Sequence, residues 1–349
     1  MRKRIFLTGF LGVVFGAFLI LAPASQAEQK KVFNWILHGA FAPGDAAMDS
    51  LYPFAEVVKK RSGGRLNLKV YPAEALVPAV DLVTACGKGV IQAYHSSGAY
   101  YTGTIPEGMI EASLPFLYQN CFGDLSVPND IWYNKGLVQI LREVYGEHNV
   151  YLLAFHSYSA MYAHMFNKPY EGMNSWKNVK LRSTGAFAEL YKKLGSTVTY
   201  LPSSEVYMAM KLGTLDAVTY TIDGVVGLKL HEVFSHLWMP AFTDHGIGHI
   251  GVNKDAWNTL PPDLQEIFFD TAKYYLAPLT MEAYQQHWHT VVQKAPALGF
   301  KVNTIPQKDV EAIKKISMEQ VWPEVAAKSS RCSKMLDIFY KYYGTQKPR

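Results

Sequence analysis

A single arginine, Arg182, stands where a predicted strand gives way to a predicted helix, and this position suits an anion. The segment Val179–Asp223 around it switches between the periods of strands and helices. In open α/β sheets, ligands collect beyond the carboxyl ends of strands, where N–H groups of the next helix point outward. A guanidinium there offers two parallel donors to a carboxylate. We therefore predict a carboxylate anchor at Arg182, with a surface ion pair as the alternative.

Aromatic residues at predicted strand ends and loops are the second set of candidates. A tyrosine at a cleft supplies flat apolar surface and one hydrogen bond. The chain has 22 tyrosines and 18 phenylalanines, so many of them must be core residues. The candidates for a ligand-binding cleft are Phe41, Tyr94, Tyr158, Tyr162 and Tyr220.

Two histidine-containing runs look like metal or cofactor signatures but lack the required context. In HEVFSH at 231–236 the histidines are five residues apart, whereas helical zinc ligands of this kind are four apart on one face. The run GIGHIG at 246–251 is not followed by the helix that a dinucleotide fingerprint must open. The sequence also contains no P-loop and no nucleophile elbow. We therefore predict no metal, no cofactor and no catalytic residue.

Three cysteines allow at most one internal disulfide. Cys86 with Cys121 is the favoured pair, and Cys332 is left over; buried thiols are the alternative. Because no two cysteines lie within four residues of each other, a zinc knuckle and a redox C-x-x-C motif are excluded.

The first 27 residues have the pattern of a secretory signal peptide. Basic residues at 2–4 precede an apolar run over 5–21, and small residues lead to Ala27. An uncleaved membrane anchor is the alternative, because the apolar run approaches membrane-spanning length. Removing the leader lowers the formal charge from +5 to about +2, and the remaining charges are interspersed, which argues against nucleic acid as a partner. We expect a periplasmic, water-soluble mature protein.

The order of predicted elements indicates an α/β fold in two parts. From residue 32 to 94, strands and helices alternate, which requires right-handed crossovers and a mostly parallel sheet. The same alternation resumes at 150–155 and in Val179–Asp223, so we predict a second α/β domain. A long helix over 263–294 can span both domains.

Five short motifs occur in order around Arg182: NKP at 167–169, WKNVKLR at 176–182, LG at 194–195, SEVY at 204–207 and GTLDA at 213–217. In this order and at these intervals they resemble the solute-binding proteins of tripartite ATP-independent periplasmic (TRAP) transporters. Weaker similarity covers most of the mature chain, including LPFL at 114–117.

This resemblance implies a two-lobed periplasmic-binding-protein-like fold with crossing strands and a long interdomain helix. The two lobes close over an organic acid, which an arginine at the position of Arg182 holds. We accordingly expect these segments: a signal peptide over 1–27, lobe I over 28–152 plus about 239–279, and lobe II over 153–238 plus about 280–349.

The chain departs from the family pattern near this arginine. Members that bind a 2-oxo acid through a cation use an acid where this chain has Thr219, and Met161 or Tyr162 takes the approximate place of an amide. Asp244 can retain one carboxylate. A second arginine, used by sialic-acid-type binders, is missing around 158–164. These departures argue against a metal-bridged ligand and against a large sugar acid.

Together these features predict a binding protein, not an enzyme, that hands a small monocarboxylate with an apolar or aromatic body to a membrane permease. Arg182 is expected to pair with the carboxylate, while Tyr220 and His164 offer hydrogen bonds. The full set of predicted ligand-binding residues is Arg182, Tyr220, His164, Tyr162, Phe41, Tyr94, Thr219 and Asp244. Two alternatives stay open: a ligand-binding sensory module, and an exported enzyme that uses His95, His156 or His164.

Overall fold

Two β-sheets form the framework of the computed structural model, which describes residues 31–158 and 162–344. The predicted leader over 1–27 and Met161 lie outside those residues. Within the described part of the chain, no helix is both long enough and apolar enough to cross a membrane.

The first sheet combines parallel and antiparallel strands. Its members are β1 (Phe33–Gly39), β2 (Leu66–Tyr71), β3 (Ala93–Ser96), β4 (Val150–Tyr158) and β10 (Gly246–Asn253). They lie in the order β2–β1–β3–β10–β4. β1 pairs in parallel with β2 and β3, as the strand–helix alternation predicts, but β10 runs antiparallel to both β3 and β4. We call the part of the chain built on this sheet lobe I.

The second sheet carries what we call lobe II. Its members are β5 (Tyr162–Phe166), β6 (Lys180–Arg182), β7 (Thr197–Thr199), β8 (Ala217–Thr221), β9 (His236–Met239) and β11 (Lys301–Thr304). They lie in the order β11–β9–β5–β8–β6–β7, with β6 parallel to β7 and β8. The chain leaves lobe I through β4, enters lobe II at β5 and returns to lobe I as β10, so crossing strands connect the lobes.

The α-helices cover both sheets and the region between them. They are α1 (Ala46–Asp49), α2 (Leu51–Arg61), α3 (Leu82–Gly87), α4 (Gly108–Glu111), α5 (Ser126–Asn129), α6 (Leu137–Gly146), α7 (Gly185–Lys193), α8 (Ser203–Lys211), α9 (Gly224–Gly227), α10 (Lys254–Thr259), α11 (Pro262–Thr271), α12 (Ala277–Lys294), α13 (Gln307–Ile316), α14 (Trp322–Ala326) and α15 (Ser330–Tyr343). The predicted two-lobed α/β fold is confirmed, because the strands form two separate sheets that helices cover. The helix α12 contacts both β4 of lobe I and α9 of lobe II, as the expected interdomain helix should.

The long helix differs in detail from the sequence prediction. The single helix expected over 263–294 is divided into α11 and α12 by a wider π-helical turn at Ala272–Leu276. Pro278 is the second residue of α12, and a proline has no N–H to continue the α-helical ladder. After α12 the chain contacts both lobes, because α15 packs against α4 and α6 while the turn at Ser317–Val321 contacts α7. The predicted lobe boundaries stay a prediction.

All three cysteines are buried free thiols. The favoured Cys86–Cys121 disulfide is therefore not formed. Cys86 lies in α3, with its sulfur 3.8 Å from the Gln92 carbonyl oxygen, whereas the carbonyl of Cys121 bonds the ring of His245. Burial raises the pKa of the Cys86 thiol, which keeps it protonated and unreactive.

Ser329 caps α15 and ties this helix to lobe I. Its Oγ accepts a hydrogen bond from the Cys332 N–H at 2.9 Å and donates to Glu107 Oε1 at 2.6 Å. We expect Ser329→Ala to lower the free energy of unfolding by about 1 kcal/mol, as lost helix caps do. The matched control is Ser330→Ala at the next, exposed position, which should change stability by less than about 0.5 kcal/mol. Equal denaturation midpoints for the two variants would contradict this role.

Candidate functional site

A cavity lies between the two lobes, beyond the carboxyl ends of parallel strands. Phe41 and Ser97 follow β1 and β3, while Arg182 and Thr221 are the last residues of β6 and β8. The enclosed part of the cavity is small. The cavity therefore stands where ligands collect in such sheets. Its lining residues are Phe41, Asp45, Ser97, Ala99, Tyr100, Tyr158, Tyr162, Arg182, Thr184, Tyr220, Thr221 and Tyr284.

Arg182 is a buried residue of this cavity and not part of a surface ion pair. Its side chain is held by backbone carbonyls, with Nε donating to Leu201 O at 3.0 Å and Nη1 to Thr219 O at 3.2 Å. The guanidinium carbon lies 5.2 Å from the centre of the Tyr220 ring, within range of a cation–π contact. Arg182 is only 2% exposed, and its Nη2 makes no hydrogen bond of normal geometry among the described residues. The hydroxyl of Tyr100 is a polar group near the guanidinium, whose charge opposes the rise that burial causes in the pKa of that phenol. One donor of a fixed, buried cation is thus available to a ligand.

Tyr220 connects this arginine to a carboxyl group of the opposite lobe. Its hydroxyl donates to Asp45 Oδ2 at 2.6 Å, while the Ala47 N–H and the Tyr284 hydroxyl donate to Asp45 Oδ1 at 2.9 and 3.3 Å. Asp45 is the N-cap of α1 and is almost completely buried. Burial, with the nearby Asp223 charge adding to it, raises the pKa of Asp45 to about 8. A neutral carboxyl group is therefore readily formed in the cavity wall.

The lobes touch at the edge of the cavity. The Ala42 N–H of lobe I donates to Ser203 Oγ of lobe II at 3.1 Å, and the Ala46 N–H donates to Asp223 Oδ2 at 2.8 Å. Beside these bonds the backbones of Gly44 and Gly227 are so close that a Cβ on Gly227 would lie 1.9 Å from the Gly44 carbonyl oxygen. These contacts describe a closed arrangement of the lobes.

Rings and neutral hydroxyls form the remaining walls. The ring centre of Phe41 lies 5.6 Å from that of Tyr158 and 5.8 Å from that of Tyr100, in lobe I. Across the cavity, Tyr162 stacks on Phe187 at 4.8 Å. Burial raises the pKa of Tyr100, Tyr158 and Tyr162 above the usual value, so these hydroxyls stay neutral. The walls suit a flat or apolar ligand body.

Four of the predicted ligand-binding residues, Phe41, Tyr162, Arg182 and Tyr220, are brought together in the cavity. The structure does not bring the other four there, and the first two of these are core residues. The Tyr94 hydroxyl lies 2.9 Å from His249 Nε2. His164 is two residues beyond Tyr162 on β5, which places its ring deeper in the core, where Nε2 lies 2.8 Å from the Tyr191 hydroxyl. Burial lowers the pKa of His164 to about 3, so it is neutral.

Thr219 and Asp244 also lie outside the set of lining residues. The Thr219 hydroxyl donates to Ser183 Oγ at 2.9 Å, and its carbonyl accepts from Arg182, so Thr219 supports the arginine from behind. Asp244 accepts a hydrogen bond from the Cys121 N–H at 2.9 Å. Among the described residues, no three His, Cys, Asp or Glu side chains are grouped so as to hold a metal ion.

Sequence reasoning missed Asp45, Tyr100 and Tyr284. Asp45 follows Gly44 directly before a helix, which marks it as a cap, and nothing in that pattern indicates that it also faces a cavity. Tyr284 is one of many tyrosines on a long helix, where core and cleft positions share the same period.

The histidines of the enzyme alternative do not line the cavity. His95 and His156 stack with ring centres 4.3 Å apart and bond to each other through Nε2, behind the rings of Phe41 and Tyr158. Burial lowers the pKa of His156 to about 3. These rings are therefore neutral and separated from a ligand in the cavity by aromatic side chains.

Comparisons with known proteins give one consistent result. A family model described as bacterial extracellular solute-binding protein, family 7, matches residues 38–329. A Nostoc protein named as a monocarboxylate 2-oxoacid-binding periplasmic protein is 28% identical over 287 residues, which are 79% of this chain and 76% of that protein.

Among solved structures, this chain is similar to a TRAP solute-binding protein from Bordetella bronchiseptica that has calcium and picolinate bound. The TM-score is 0.81 at 21% sequence identity, and the match covers 89% of this chain and 92% of that one. An apo, open structure from Rhodobacter sphaeroides, at 20% identity and covering 89% and 99% of the two chains, has a lower TM-score of 0.66.

Proposed function

We propose that this chain, which belongs to bacterial extracellular solute-binding protein family 7, captures a small organic acid with one carboxylate between its lobes and delivers it to a TRAP permease. Members of this family are the substrate-binding components of transporters. The observation that carries the proposal is the buried Arg182, which lines the cavity and has a side-chain nitrogen without a partner among the described residues.

A ligand carboxylate completes the surroundings of Arg182. A buried cation is costly unless it is paired and hydrogen-bonded. The carbonyls of Leu201 and Thr219 satisfy two of its nitrogens but bring no opposite charge. A carboxylate that accepts from Nη2 supplies both the charge and the missing acceptor.

The walls and the relatives support a small ligand with a flat body. Phe41, Tyr158 and Tyr162 present ring surfaces around a space that suits few non-hydrogen atoms beyond the carboxylate. The Nostoc relative is named for monocarboxylate 2-oxoacids, and the Bordetella structure holds picolinate, an aromatic monocarboxylate. We therefore propose an aromatic or 2-oxo monocarboxylate.

We further propose that the carboxylate meets Arg182 directly, without a bridging cation. The side chain of Thr219 is already bonded to Ser183, and Asp244 lies outside the cavity lining, so neither offers an oxygen to an ion beside Arg182. We propose a periplasmic location, for which the family's extracellular members and the predicted leader over 1–27 are the support.

A thermal-shift panel of matched acids and amides tests this function. We expect at least one of picolinate, benzoate and pyruvate to stabilise the protein, by about 2.7 kcal/mol at 100 times its dissociation constant. The corresponding amides keep the shape but lose the charge, so picolinamide, benzamide and pyruvamide should stabilise far less. Stabilisation by an amide equal to that by its acid, or no response to any acid, would contradict a carboxylate site.

A further inference from the structure

Two carboxyl groups from opposite lobes are buried beside the cavity. Asp45 precedes α1 in lobe I and is 1% exposed, and Asp223 follows β8 in lobe II and is 0% exposed. The Ala46 N–H donates to Asp223 Oδ2 at 2.8 Å, so this acid is bonded to the residue next to Asp45. The two side chains become neighbours only when the lobes meet.

No opposite charge accompanies this pair. Among the described residues, neither Asp45 nor Asp223 forms an ion pair with a lysine, arginine or histidine. Asp223 Oδ1 is also without a hydrogen-bond partner in that part of the chain. The donors that both carboxyl groups do have, the Ala47 and Ala46 N–H groups and the phenols of Tyr220 and Tyr284, are all neutral. Two ionised carboxylates buried side by side without an opposite charge are costly, so one of them takes up a proton instead.

The other titratable groups facing the pair do not supply a charge. They are the phenols of Tyr220 on β8, Tyr284 on α12, Tyr158 on β4, Tyr162 on β5 and Tyr100, and burial raises the pKa of each above its usual value. Arg182 lines the same cavity, but under the proposed function its charge is used by the ligand carboxylate.

We propose that Asp45 and Asp223 hold one proton between them when the lobes are closed, so that capture of an organic anion takes up a proton from solution. The inference rests on the proposed function in one respect, namely that ligand binding closes the lobes. The Asp45 Oδ2 to Tyr220 Oη contact of 2.6 Å accommodates the proton, because a phenol oxygen accepts as well as donates.

The direction in which pH changes the affinity for ligand follows from the pKa values of the two acids in the closed and open forms. Burial raises the pKa of Asp45 to about 8 and that of Asp223 to about 6 in the closed protein. In the open protein water reaches both groups, and their pKa values return to about 4. Between about pH 4 and pH 8 the closed form therefore binds more protons than the open form. Affinity is highest at the acid end of that window and falls as pH rises, by at most about tenfold per unit for one proton.

Calorimetric titration tests the inference without any variant. The probe is whichever of benzoate, picolinate and pyruvate stabilises most, titrated from pH 6.5 to 9 in buffers with different heats of ionisation. We expect the dissociation constant to rise up to about tenfold per unit below pH 8 and to level off above it. The dependence of heat on buffer should report uptake approaching one proton per site near pH 7.

Variants of the acids locate the proton. Asp45→Asn keeps an oxygen for the Ala47 N–H and should remove most of the pH dependence of the dissociation constant and most of the proton uptake. If Asp45→Asn folds poorly, Asp223→Asn provides the same test. Asp49→Asn, at an exposed acid of α1, is the matched control and should keep the wild-type pH profile. A dissociation constant independent of pH, with equal heats in all buffers, would overturn the inference while leaving the carboxylate site intact. Failure of the proposed function is distinguishable, because Arg182→Ala would then bind the probe as wild type does.

Discussion

Replacing Arg182 with alanine should weaken carboxylate binding by about 2–5 kcal/mol, which is roughly 30-fold or more in the dissociation constant. The side chain is buried, and it is the positive charge among the residues that line the cavity. Without it, the ligand carboxylate would enter a closed space lined by neutral phenols, with its charge uncompensated. Calorimetry with the best acid of the panel measures the loss.

Two further variants separate charge from geometry and from stability. Arg182→Lys keeps the charge but loses the forked donors, so its binding should lie between those of the wild type and the alanine variant. Arg142 is the matched control, since its guanidinium also donates to two backbone carbonyls, of Leu152 and Leu153, but outside the cavity. Arg142→Ala should affect stability without changing affinity. Unchanged affinity in Arg182→Ala would rule out the anchor.

Gly227→Ala should weaken ligand binding by about 1–3 kcal/mol, or roughly 5- to 150-fold, without unfolding the protein. The added methyl group would lie 1.9 Å from the carbonyl oxygen of Gly44, so the lobes could not approach as closely as they do. The atoms that the methyl group would meet are backbone atoms of Gly44 and not the far end of a flexible side chain, so the clash can be relieved only by a shift of the chain. Separated lobes meet no such clash, so the cost falls on the closed form.

Calorimetry and small-angle scattering together measure this effect. The ligand-saturated variant should keep a larger radius of gyration than the ligand-saturated wild type, while melting of the ligand-free proteins stays similar. Gly103→Ala is the matched control, because a Cβ on this exposed glycine meets nothing within 4 Å. A Gly227→Ala variant with wild-type affinity and compactness would show that closure does not use this contact.

The sequence predicts the position of Arg182 well because local periods determine it. β6 ends at Arg182 and α7 begins three residues later, and both elements follow from the spacing of apolar residues in a short segment. The strand–helix alternation likewise predicts the parallel pairing of β1 with its neighbours. Structural features that one continuous segment of the chain determines can therefore be predicted from the sequence.

Features that join distant segments were not accessible in this way. The antiparallel placement of β10 between β3 and β4 depends on which strand edge is free after the chain returns from lobe II. The spacing of apolar residues within one strand does not indicate its pairing partners. His164 and Tyr162 share one face of β5. Tyr162, the first residue of the strand, lines the cavity, whereas His164, two residues further along, lies in the core. Asp45 belongs to the cavity only through Tyr220 and Tyr284, which are 175 and 239 residues away in sequence.

Five tyrosines line the cavity, and under the proposed function their hydroxyls affect which acids it accepts. They are Tyr100, Tyr158, Tyr162, Tyr220 and Tyr284. A phenol can turn its proton towards an acceptor or offer its oxygen to a donor, whereas a backbone amide or a carbonyl has a fixed role. The hydroxyls of Tyr220 and Tyr284 are bonded to Asp45, so under the proposed function it is those of Tyr100 and Tyr162 that can reorient to suit ligands with different donors and acceptors. Under the proposed function, discrimination among acids then depends on the charge at Arg182 and on the room between the rings.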